Sequence, residues 1–392
     1  MSFEPRNSSV SKKQVLFLFP LKYRPQNFDT ARQFVLLSRW YGGHIFALSG
    51  RSQRNIPVAD FFFHSEKFVS GAAKRFFRGL WIQVIVPLRL LWGKSQVCAV
   101  IAYDPYRSGL AALILKCVLR CKMIVELNGD YHRAEPGGRS DISQVLKRFI
   151  FNLTLHGADA IKVLNVDQEA FCRRHVPRAS IHRFPAFVAT EYFQSLESGQ
   201  GDYLLSVGHP FDLKGMDVLI AAFRQIAEKH QQISLRIMGY CPQGDLAKYQ
   251  ALAGGHSRIV FIAPGWIEDV GEQMRGCYAL VNASRTEAMG RVHVEAMACG
   301  KPIIATRTNG ALECIEDGQT GLLCSIGDAA DLAAKLDELL SNPNRAAQMG
   351  NAGKMRMHNM FSEMKCVEAY HTMLEEVIGS STHFDEKRPP NS

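Results

Sequence analysis

The segment CYALVNASRTEAMGRVHVEAMACGKPIIAT, residues 277–306, contains a complete strand–loop–helix–strand unit. Its first eight and last five residues are apolar runs with the length of buried strands, and the stretch that ends before Gly300 has helical periodicity. Near-continuous apolar strands joined through a helix are typical of parallel sheets that are covered on both faces. The segment therefore predicts an α/β fold.

The loop of this unit places two carboxylates, Glu287 and Glu295, on either side of Gly290, which lies at or just before the predicted helix start. Backbone N–H groups at a helix N-terminus favour an anion, typically a phosphate. Because a carboxylate can accept two hydrogen bonds from a vicinal diol, the pair could hold two sugars that flank a diphosphate. In the alternative interpretation, Glu287 caps the helix and Glu295 is an exposed helical residue.

A further strand, loop and helix occur upstream in SVGHPFDLKGMDVLIAAF (206–223), with Lys214 and Gly215 at the end of the loop. A lysine beneath a helix N-terminus is well placed to bind a diphosphate. A solvated turn is the alternative for this dipeptide. Downstream, Asn309 and Gly310 are predicted to form a turn after a strand, with Glu313 just inside the next helix.

Strands and helices alternate along the chain in two series, separated by an irregular stretch near 184–200. The predicted strands are 15–19, 43–49, 97–103, 123–127 and 159–165 in the first series, and 203–208, 234–239, 258–263, 277–284, 302–306 and 320–325 in the second. The predicted helices lie near 28–40, 107–120, 141–157, 214–230, 243–253, 268–276, 291–299 and 328–341. This pattern predicts two doubly wound, Rossmann-like domains that face each other across a cleft, where ligands bind beyond the carboxyl ends of the strands.

The expected domain boundaries follow from this alternation. Residues 1–195 form the first domain and residues 196–360 the second. A long helix at 361–379 is expected to cross back towards the first domain. The polar, proline-rich residues 380–392 are expected to be a disordered tail.

Composition describes an ordinary globular protein of 392 residues with 47% hydrophobic residues and a net charge of +9. The first 195 residues carry 28 Lys and Arg against 13 Asp and Glu, whereas the remainder carries 18 against 24. A one-sided positive field attracts nucleic acid, anionic lipid or phosphate-bearing substrates, unless it is only a solvated surface.

Ten scattered cysteines without a CxxC pair indicate reduced thiols and a cytosolic setting. The apolar run QVLFLFPL (14–21) has no cleavage site after it, so we interpret it as a buried first strand and not a signal peptide.

The chain resembles the retaining glycosyltransferases of family 4, which have the GT-B fold. The matching motifs cover nearly all of residues 202–343 and occur in the family's order: LLSVGHPFDLKGMDVLIAAF, LRIMGY, VFIAPGWI, SRTEAMGRVHVEAMACGKPIIAT, NGALECIEDGQTGLL and DLAAKLDELLSNP. The first half matches more weakly, through AYDPYRSGLAALIL, MIVELNGDYH and GADAIKVLNVDQEAF. The resemblance implies that residues 196–360 bind a nucleotide sugar and that residues 1–195 bind the acceptor.

The resemblance also implies roles for individual residues. Glu295 would hold the ribose hydroxyls, Glu287 would contact the donor sugar, and Lys214 would neutralise the β-phosphate as it leaves. The remaining residues implied on the donor side are Met289, Gly290, Arg291, Gly208, His209, Asn309 and Gly310. No protein nucleophile is implied for such enzymes, and neither a cofactor nor a metal is expected.

Three features depart from the family pattern. His209 stands where an Arg or Lys usually follows the VG turn, and a neutral imidazole is a weaker clamp for a diphosphate. The usual EGFG motif reads EAMG here, which keeps the second glycine and both glutamates. The loop LKYRPQNFDTARQ (21–33) lacks the paired glycines that the family often has near the donor. It is expected to meet the acceptor or the diphosphate through Lys22, Arg24 or Asn27, and a place on the surface is the alternative.

Further acceptor-side candidates follow the predicted strand 123–127. They are Asn128, Asp130 and His132, with Asp130 preferred as a catalytic residue; a simple polar turn is the alternative. In AAKRFFRGLWIQVIVPLRLLWGK (72–94), basic and aromatic residues flank an apolar centre, which is typical of a segment in a membrane interface. An amphipathic helix packed in the acceptor domain is the alternative there.

These observations predict a cytoplasmic enzyme, peripheral on an anionic membrane surface at the inner face of the cytoplasmic membrane. It would transfer a sugar to a saccharide or polyprenyl-linked acceptor in bacterial surface polysaccharide biosynthesis. The alternatives are a nucleotide-sugar 2-epimerase and a catalytically weak sugar-nucleotide-binding protein. A nucleic-acid partner is not expected, because no stacking motif or recognition helix is present. The donor base, the sugar, the acceptor, the linkage and the oligomeric state are not encoded in any recognisable pattern.

Overall fold

The computed structural model describes residues 12–19, 28–49, 52–67, 71–91, 96–131, 142–194, 201–263 and 267–379. The chain divides into two compact units, and each has its own sheet. One unit extends to residue 187 and takes in the chain again from 366, and the other consists of residues 188–365. The predicted tail at 380–392 lies outside the described residues.

The first unit contains an eight-stranded sheet with the order β3-β4-β2-β1-β5-β6-β7-β8. All neighbouring strands are parallel except β3 and β4, which are antiparallel. The central strands are buried over most of their length because helices cover both faces. The strands are β1 (Lys13–Leu18), β2 (Tyr41–Ser49), β3 (Gln53–Val58), β4 (Phe61–Lys67), β5 (Val97–Ala102), β6 (Lys122–Glu126), β7 (Ala160–Val163) and β8 (Ser180–Arg183).

The helices of this unit form two layers. A π-helical turn, Trp81–Ile85, joins α2 to α3, and this segment packs with α4, α5 and α6 in one hydrophobic core. On the other layer, the rings of Phe17, Phe34 and Phe61 meet edge to face, with centroids 4.9 to 6.0 Å apart. The helices are α1 (Phe28–Leu37), α2 (Ala72–Leu80), α3 (Val86–Leu91), α4 (Arg107–Leu119), α5 (Ile142–Gly157) and α6 (Val166–His175).

The last helix, Glu363–Gly379, makes its polar contacts with the first unit from its C-terminal half. Lys13 Nζ lies 2.7 Å from Glu375 Oε2, and the Tyr41 hydroxyl donates to Glu375 Oε1 at 2.8 Å. The His371 ring stacks on Trp40 with centroids 4.4 Å apart. These contacts explain why the chain from residue 366 onward belongs to this unit.

The second unit contains a six-stranded parallel sheet with the order β11-β10-β9-β12-β13-β14. In this sheet the chain begins at the central strand β9, continues through β10 to the edge strand β11, and then returns to the centre at β12. The strands β9 and β12 therefore flank the topological switch point. The strands are β9 (Tyr203–Val207), β10 (Ser234–Met238), β11 (Ile259–Ile262), β12 (Ala279–Asn282), β13 (Ile303–Thr306) and β14 (Gly321–Cys324). The helices are α7 (Thr190–Phe193), α8 (Met216–Ile226), α9 (Gln243–Ala253), α10 (Ile267–Gly276), α11 (Arg291–Ala298), α12 (Asn309–Cys314), α13 (Ala329–Leu340) and α14 (Pro343–Arg356). The helix α15 (Glu363–Gly379) begins in this unit and belongs to the first unit from residue 366.

The α/β class with doubly wound parallel sheets is confirmed, and every predicted strand of the second half is present. In the first half, β3, β4, β8 and α6 were not predicted. The strand β3 (QRNIPV) buries only its last residue, so it lacks the apolar run of a central strand. The helix α6 (VDQEAFCRRH) buries only Gln168 and Cys172, and its polar composition hides its periodicity.

All ten cysteines are free thiols in the structure, and seven of them are buried. Within the described parts of the chain, no helix is both long and apolar enough to cross a membrane.

Candidate functional site

The conspicuous polar residues of the second unit lie at the carboxyl edge of its sheet. Lys214 follows β9, Glu287 follows β12, and Asn309 follows β13. Because β9 and β12 flank the switch point, their loops diverge there and leave the crevice in which α/β proteins bind ligands. The fold therefore gathers at one place residues that are far apart in sequence.

Lys214 and Glu287 are in direct contact across this switch point. Lys214 Nζ donates to Glu287 Oε2 at 2.5 Å, and both side chains are less than one fifth exposed. Gly208, at φ +144°, allows the approach, because a Cβ there would lie 2.9 Å from Lys214 Cε. The pair places a cation and a carboxylate side by side at the carboxyl edge of the sheet, where both side chains are largely shielded from water.

The helix α11 begins directly after this pair. Its N-cap is Gly290 at φ +74°, and no side chain makes a capping hydrogen bond. The alternative in which Glu287 caps the helix is therefore wrong, since its carboxylate is directed to Lys214 instead. Met289 is buried and Arg291 is exposed on either side of the glycine. The N–H groups at the N-terminus of a helix are suited to an anion.

Glu295 lies in the second turn of α11 and is only 8% exposed. The alternative that treats it as an exposed helical residue is therefore wrong. A nearly buried carboxylate needs hydrogen-bonding or charged partners to remain ionised. Its burial excludes a place on a solvated helix face.

The segment after β13 contacts the same loop, although its local structure differs from the prediction. Asn309 and Gly310 are not a turn that precedes the helix: they form its first residues, and the Thr308 hydroxyl accepts from the N–H of Ala311 as the N-cap. The N–H of Gly310 donates to the carbonyl of Glu287 at 2.8 Å. A Cβ at Gly310 would lie 2.5 Å from the backbone of Met289, so only glycine permits this contact.

A further pair, Arg285 and Asp217, was not singled out in the sequence. Two hydrogen bonds, at 2.7 and 3.0 Å, join the Arg285 guanidinium to the Asp217 carboxylate. The N–H of Arg285 also donates to the carbonyl of Leu213 at 2.9 Å. The hydrogen bond from Arg285 holds the pKa of Asp217 below its ordinary value. This pair links the Lys214 loop to the Glu287 loop. The sequence does not reveal it, because the two loops are far apart in the chain and adjacent only in the fold.

His209, the residue that departs from the family pattern, is exposed in the loop after β9. It lies on the same loop as Gly208 and Lys214, so the structure places it at the carboxyl edge of the sheet. No contact ties its ring to the Lys214–Glu287 pair.

The first-unit candidates follow β6. Asn128 is half-buried, and its Nδ2 donates to the Tyr103 carbonyl at 3.2 Å and to Glu126 Oε2 at 3.1 Å. The same Glu126 oxygen pairs with Lys162 Nζ at 3.2 Å, and both of those side chains are buried. Asp130 is half-buried two residues further on. The candidates His132, Lys22 and Arg24 lie outside the described residues.

The chain matches known proteins over both halves of its length. The sequence profile described as "Glycosyl transferases group 1" matches residues 188–356. An uncharacterized glycosyltransferase of Methanocaldococcus jannaschii is 30% identical over 244 residues, which span 57% of this chain and 68% of that protein. The chain belongs to the group 1 glycosyltransferase family.

Other members of the family match a shorter part of the chain. The D-inositol 3-phosphate glycosyltransferase of Corynebacterium jeikeium is 32% identical over 191 residues, or 47% of this chain and 45% of that protein. This match therefore spans less than half of the relative. The family membership identifies this glycosyltransferase by class, and its donor and acceptor have to be inferred from the site.

Solved structures share the fold at low sequence identity. Sucrose-phosphate synthase from Thermosynechococcus elongatus superimposes with a TM-score of 0.75 at 18% identity, over 95% of this chain and 100% of that one. Anabaena HepE in complex with UDP gives a TM-score of 0.69 at 16% identity, over 93% and 100%. These structural neighbours are glycosyltransferases with the GT-B fold. The GT-B fold class predicted for this chain is therefore confirmed.

Among the described residues, no group of three or more His, Cys, Asp and Glu side chains is arranged to hold a metal ion.

Proposed function

We propose that this glycosyltransferase transfers a sugar from a nucleoside-diphosphate sugar with retention of the anomeric configuration. The observation that carries the proposal is the contact of Lys214 with Glu287 at the switch point, beside the N-terminus of α11. A cation and the N–H groups of a helix N-terminus suit a diphosphate, and a carboxylate suits sugar hydroxyls. The family relationship and the UDP complex of HepE, which has the same fold, support this assignment.

In this proposal each part of the donor has a partner. The diphosphate binds the N–H groups around Met289, Gly290 and Arg291, and Lys214 Nζ turns from Glu287 to the β-phosphate. Glu287 then accepts from hydroxyls of the sugar to be moved. Glu295, one turn further along α11, accepts from the ribose hydroxyls. Gly208, His209, Asn309 and Gly310 complete the donor side.

The reaction breaks the bond between the anomeric carbon and the β-phosphate oxygen, and forms a bond from the same face to an acceptor hydroxyl oxygen. The departing phosphate oxygen takes the proton of that hydroxyl. Negative charge develops on the diphosphate as it leaves, and preorganised donors aimed at that charge lower the barrier. Lys214 and the N–H groups of α11 supply these donors, so the proposed reaction requires neither a protein nucleophile nor a metal. On the acceptor side, Asp130 and Asn128 are proposed to orient the attacking hydroxyl.

A thermal-shift series with UDP-, GDP-, ADP- and TDP-sugars, without added metal, tests the donor site. A ligand that binds the folded state stabilises it by about 2.7 kcal/mol at a hundredfold excess over Kd, so one nucleotide should raise the melting temperature clearly. Product analysis with that nucleotide sugar then separates transfer from epimerisation of the donor at C2. An absence of any shift, in a protein that is folded, would contradict the proposed donor site.

We further propose that the acceptor is lipid-linked and that the first unit docks on an anionic membrane surface. On α2 and the π-helical turn that follows it, Lys74, Phe77, Arg78 and Trp81 share one helical face and are all exposed, and Phe77 is 68% exposed. The Arg89 guanidinium lies 4.8 Å from the centre of the Trp81 ring. Apolar side chains flanked by cations are suited to the boundary between headgroups and acyl chains.

The helix α5 extends this surface. Val145, Leu146, Phe149 and Leu153 form an exposed apolar stripe, opposite the side on which Phe151 is buried. Lys147 and Arg148 are exposed beside the stripe. Both α2 and α5 contact α4, where Ile114 and Val118 are also exposed, so the three helices present one surface. We call this surface, formed by α2, α4 and α5, the basic apolar face.

Vesicle sedimentation tests the docking. Vesicles that contain phosphatidylglycerol should bind the protein, vesicles of phosphatidylcholine alone should bind it less, and added salt should weaken the binding. The variant Trp81→Ser/Phe149→Ser should lose binding. Met355→Ser, which changes an equally exposed apolar residue of the second unit, is the matched control. Equal binding of all three proteins to anionic vesicles would overturn the assignment of the basic apolar face.

A further inference from the structure

A buried hydrogen-bond relay lies beneath the donor-side loops of the second unit. The Thr306 hydroxyl donates to the carbonyl of Ser284 at 2.6 Å, and the N–H of Ser284 donates to Asn282 Oδ1 at 3.0 Å. The Ser284 hydroxyl bonds the same oxygen of Asn282. Because Oδ1 accepts these hydrogen bonds, the other end of the amide, Nδ2, must point away from Ser284.

Asn282 Nδ2 lies 2.9 Å from His293 Nε2, and both side chains are buried. An amide nitrogen can only donate, so Nε2 of the imidazole must be the acceptor. The neutral ring then carries its proton on Nδ1. Complete burial lowers the pKa of His293 to about 4, so the ring is neutral at physiological pH.

The protonated Nδ1 is directed at the loop that begins α11. Among the described residues it has no partner at normal hydrogen-bonding geometry, and the backbone of Met289, which favours its protonation, is its nearest substitute for one. A Cβ at Gly290 would lie 2.4 Å from Nδ1 and 3.2 Å from Glu287 Cγ. The imidazole and the Glu287 side chain therefore both border the space that a Cβ of Gly290 would occupy. A buried donor without a well-formed hydrogen bond is costly, so an acceptor that came within reach would be bound favourably.

We propose that His293 is a positioning residue for the donor site, and that its Nδ1–H orients the Glu287 carboxylate when Lys214 turns to the diphosphate. In the structure, Glu287 has Lys214 as its partner. If Lys214 moves to the nucleotide sugar, the carboxylate loses that partner at the moment when it must be held against the sugar. The Nδ1–H beside Gly290 is the hydrogen-bond donor that can replace it. This inference rests on the proposed function.

Two substitutions separate positioning from packing. The amide nitrogen of Asn can occupy the place of Nδ1, whereas the amide of Gln reaches the place of Nε2. His293→Asn should therefore keep the donor beneath Gly290 and lose the contact with Asn282, and His293→Gln should do the reverse. We expect kcat to fall more than tenfold in His293→Gln and several-fold less in His293→Asn, with KM for the donor changed less than kcat in both. A purely structural role predicts the opposite order, because the contact with Asn282 is the one that the Gln variant keeps.

The tautomer can be measured without any nucleotide. In protein labelled with ¹⁵N-histidine, the two ring nitrogens of His293, assigned by their loss in His293→Asn, should report a protonated Nδ1 and an unprotonated Nε2 at pH 7. Addition of UDP or GDP, whichever binds, should shift the Nδ1 signal. A ring protonated on Nε2 would overturn the inference even if nucleotides bind, and a protonated Nδ1 in a protein that binds no nucleotide would instead count against the proposed function. A Gln variant at least as active as the Asn variant, with both folded, would also overturn it.

Discussion

Lys214 Nζ lies 2.5 Å from Glu287 Oε2, although 73 residues separate the two in sequence. The strands β9 and β12 bring them together, because they are neighbours in the sheet and their loops leave its carboxyl edge at the switch point. The two charges satisfy each other. The pair therefore holds the Lys214 ammonium group beside the N-terminus of α11, and the Glu287 carboxylate compensates its charge in this partly buried position.

Removal of the Lys214 charge should affect the chemical step most. Lys214→Ala should lower kcat by about 10²–10³-fold, as the loss of one preorganised donor to a developing anion does. The Kd of the nucleotide sugar should rise less. Steady-state kinetics with calorimetric binding checks this difference. Lys229→Ala, which removes an exposed lysine paired with Asp337, should leave both quantities unchanged.

The two glutamates should separate binding from turnover. Glu295→Gln should raise the Kd of the nucleoside diphosphate by about tenfold, since it weakens charge-assisted hydrogen bonds to ribose. Glu287→Ala should lower kcat by about a hundredfold with a smaller change in nucleotide affinity. If both variants transferred sugar at the wild-type rate, the site assignment would be wrong.

Gly290 should tolerate no side chain. In Gly290→Ala, strain at φ +74° costs about 1–3 kcal/mol, and the new Cβ would also lie 2.4 Å from His293 Nδ1. Gly327 provides the matched control, because its φ is +78° and nothing lies within 4 Å of a Cβ built on it. Gly327→Ala should show the conformational cost alone. Urea denaturation of both variants should therefore show a larger loss of stability at position 290, and nucleotide affinity should fall only there.

The sequence was sufficient to predict the strands of the second unit, because each is a near-continuous apolar run, but it did not predict α7 or α14. The places of Gly290 at a helix start and of Lys214 at the end of a loop follow from such runs. The first unit was predicted less completely, since β3 and α6 bury few apolar residues. The partners of the site residues could not be predicted. The Lys214–Glu287 and Arg285–Asp217 pairs and the tautomer of His293 depend on contacts between loops that are far apart in sequence.

The buried histidine pair of the first unit should make stability depend on pH. His64 Nε2 lies 2.9 Å from His44 Nδ1, and burial lowers the pKa of His64 to about 3 and that of His44 below its ordinary value. Both rings are neutral in the folded protein but take up protons when unfolded below pH 6.5. Their stabilising contribution is therefore complete above pH 6.5 and is lost as the pH falls towards 3.

The change can be measured by urea denaturation at pH 7 and pH 5. For His64 alone, the free energy of unfolding should fall by about 2 kcal/mol between these pH values. His64→Phe, which keeps a ring stacked against Phe46, should show a smaller decrease. An unchanged pH dependence in this variant would contradict the assignment.

The buried ion pair between Glu126 and Lys162 should be sensitive to the loss of one partner. Lys162 Nζ lies 3.2 Å from Glu126 Oε2 and within 5.0 Å of the centres of the Phe184 and Tyr370 rings. Lys162→Met leaves the Glu126 charge buried, so it should destabilise the protein by about 3–5 kcal/mol. The double variant Glu126→Gln/Lys162→Met removes both charges and should recover part of that loss. Lys116→Met, in the partly exposed pair with Asp159, should cost about 1 kcal/mol or less. The free energy of unfolding is measured by chemical denaturation. Equal decreases in Lys162→Met and Lys116→Met would show that burial does not determine the cost of breaking an ion pair here.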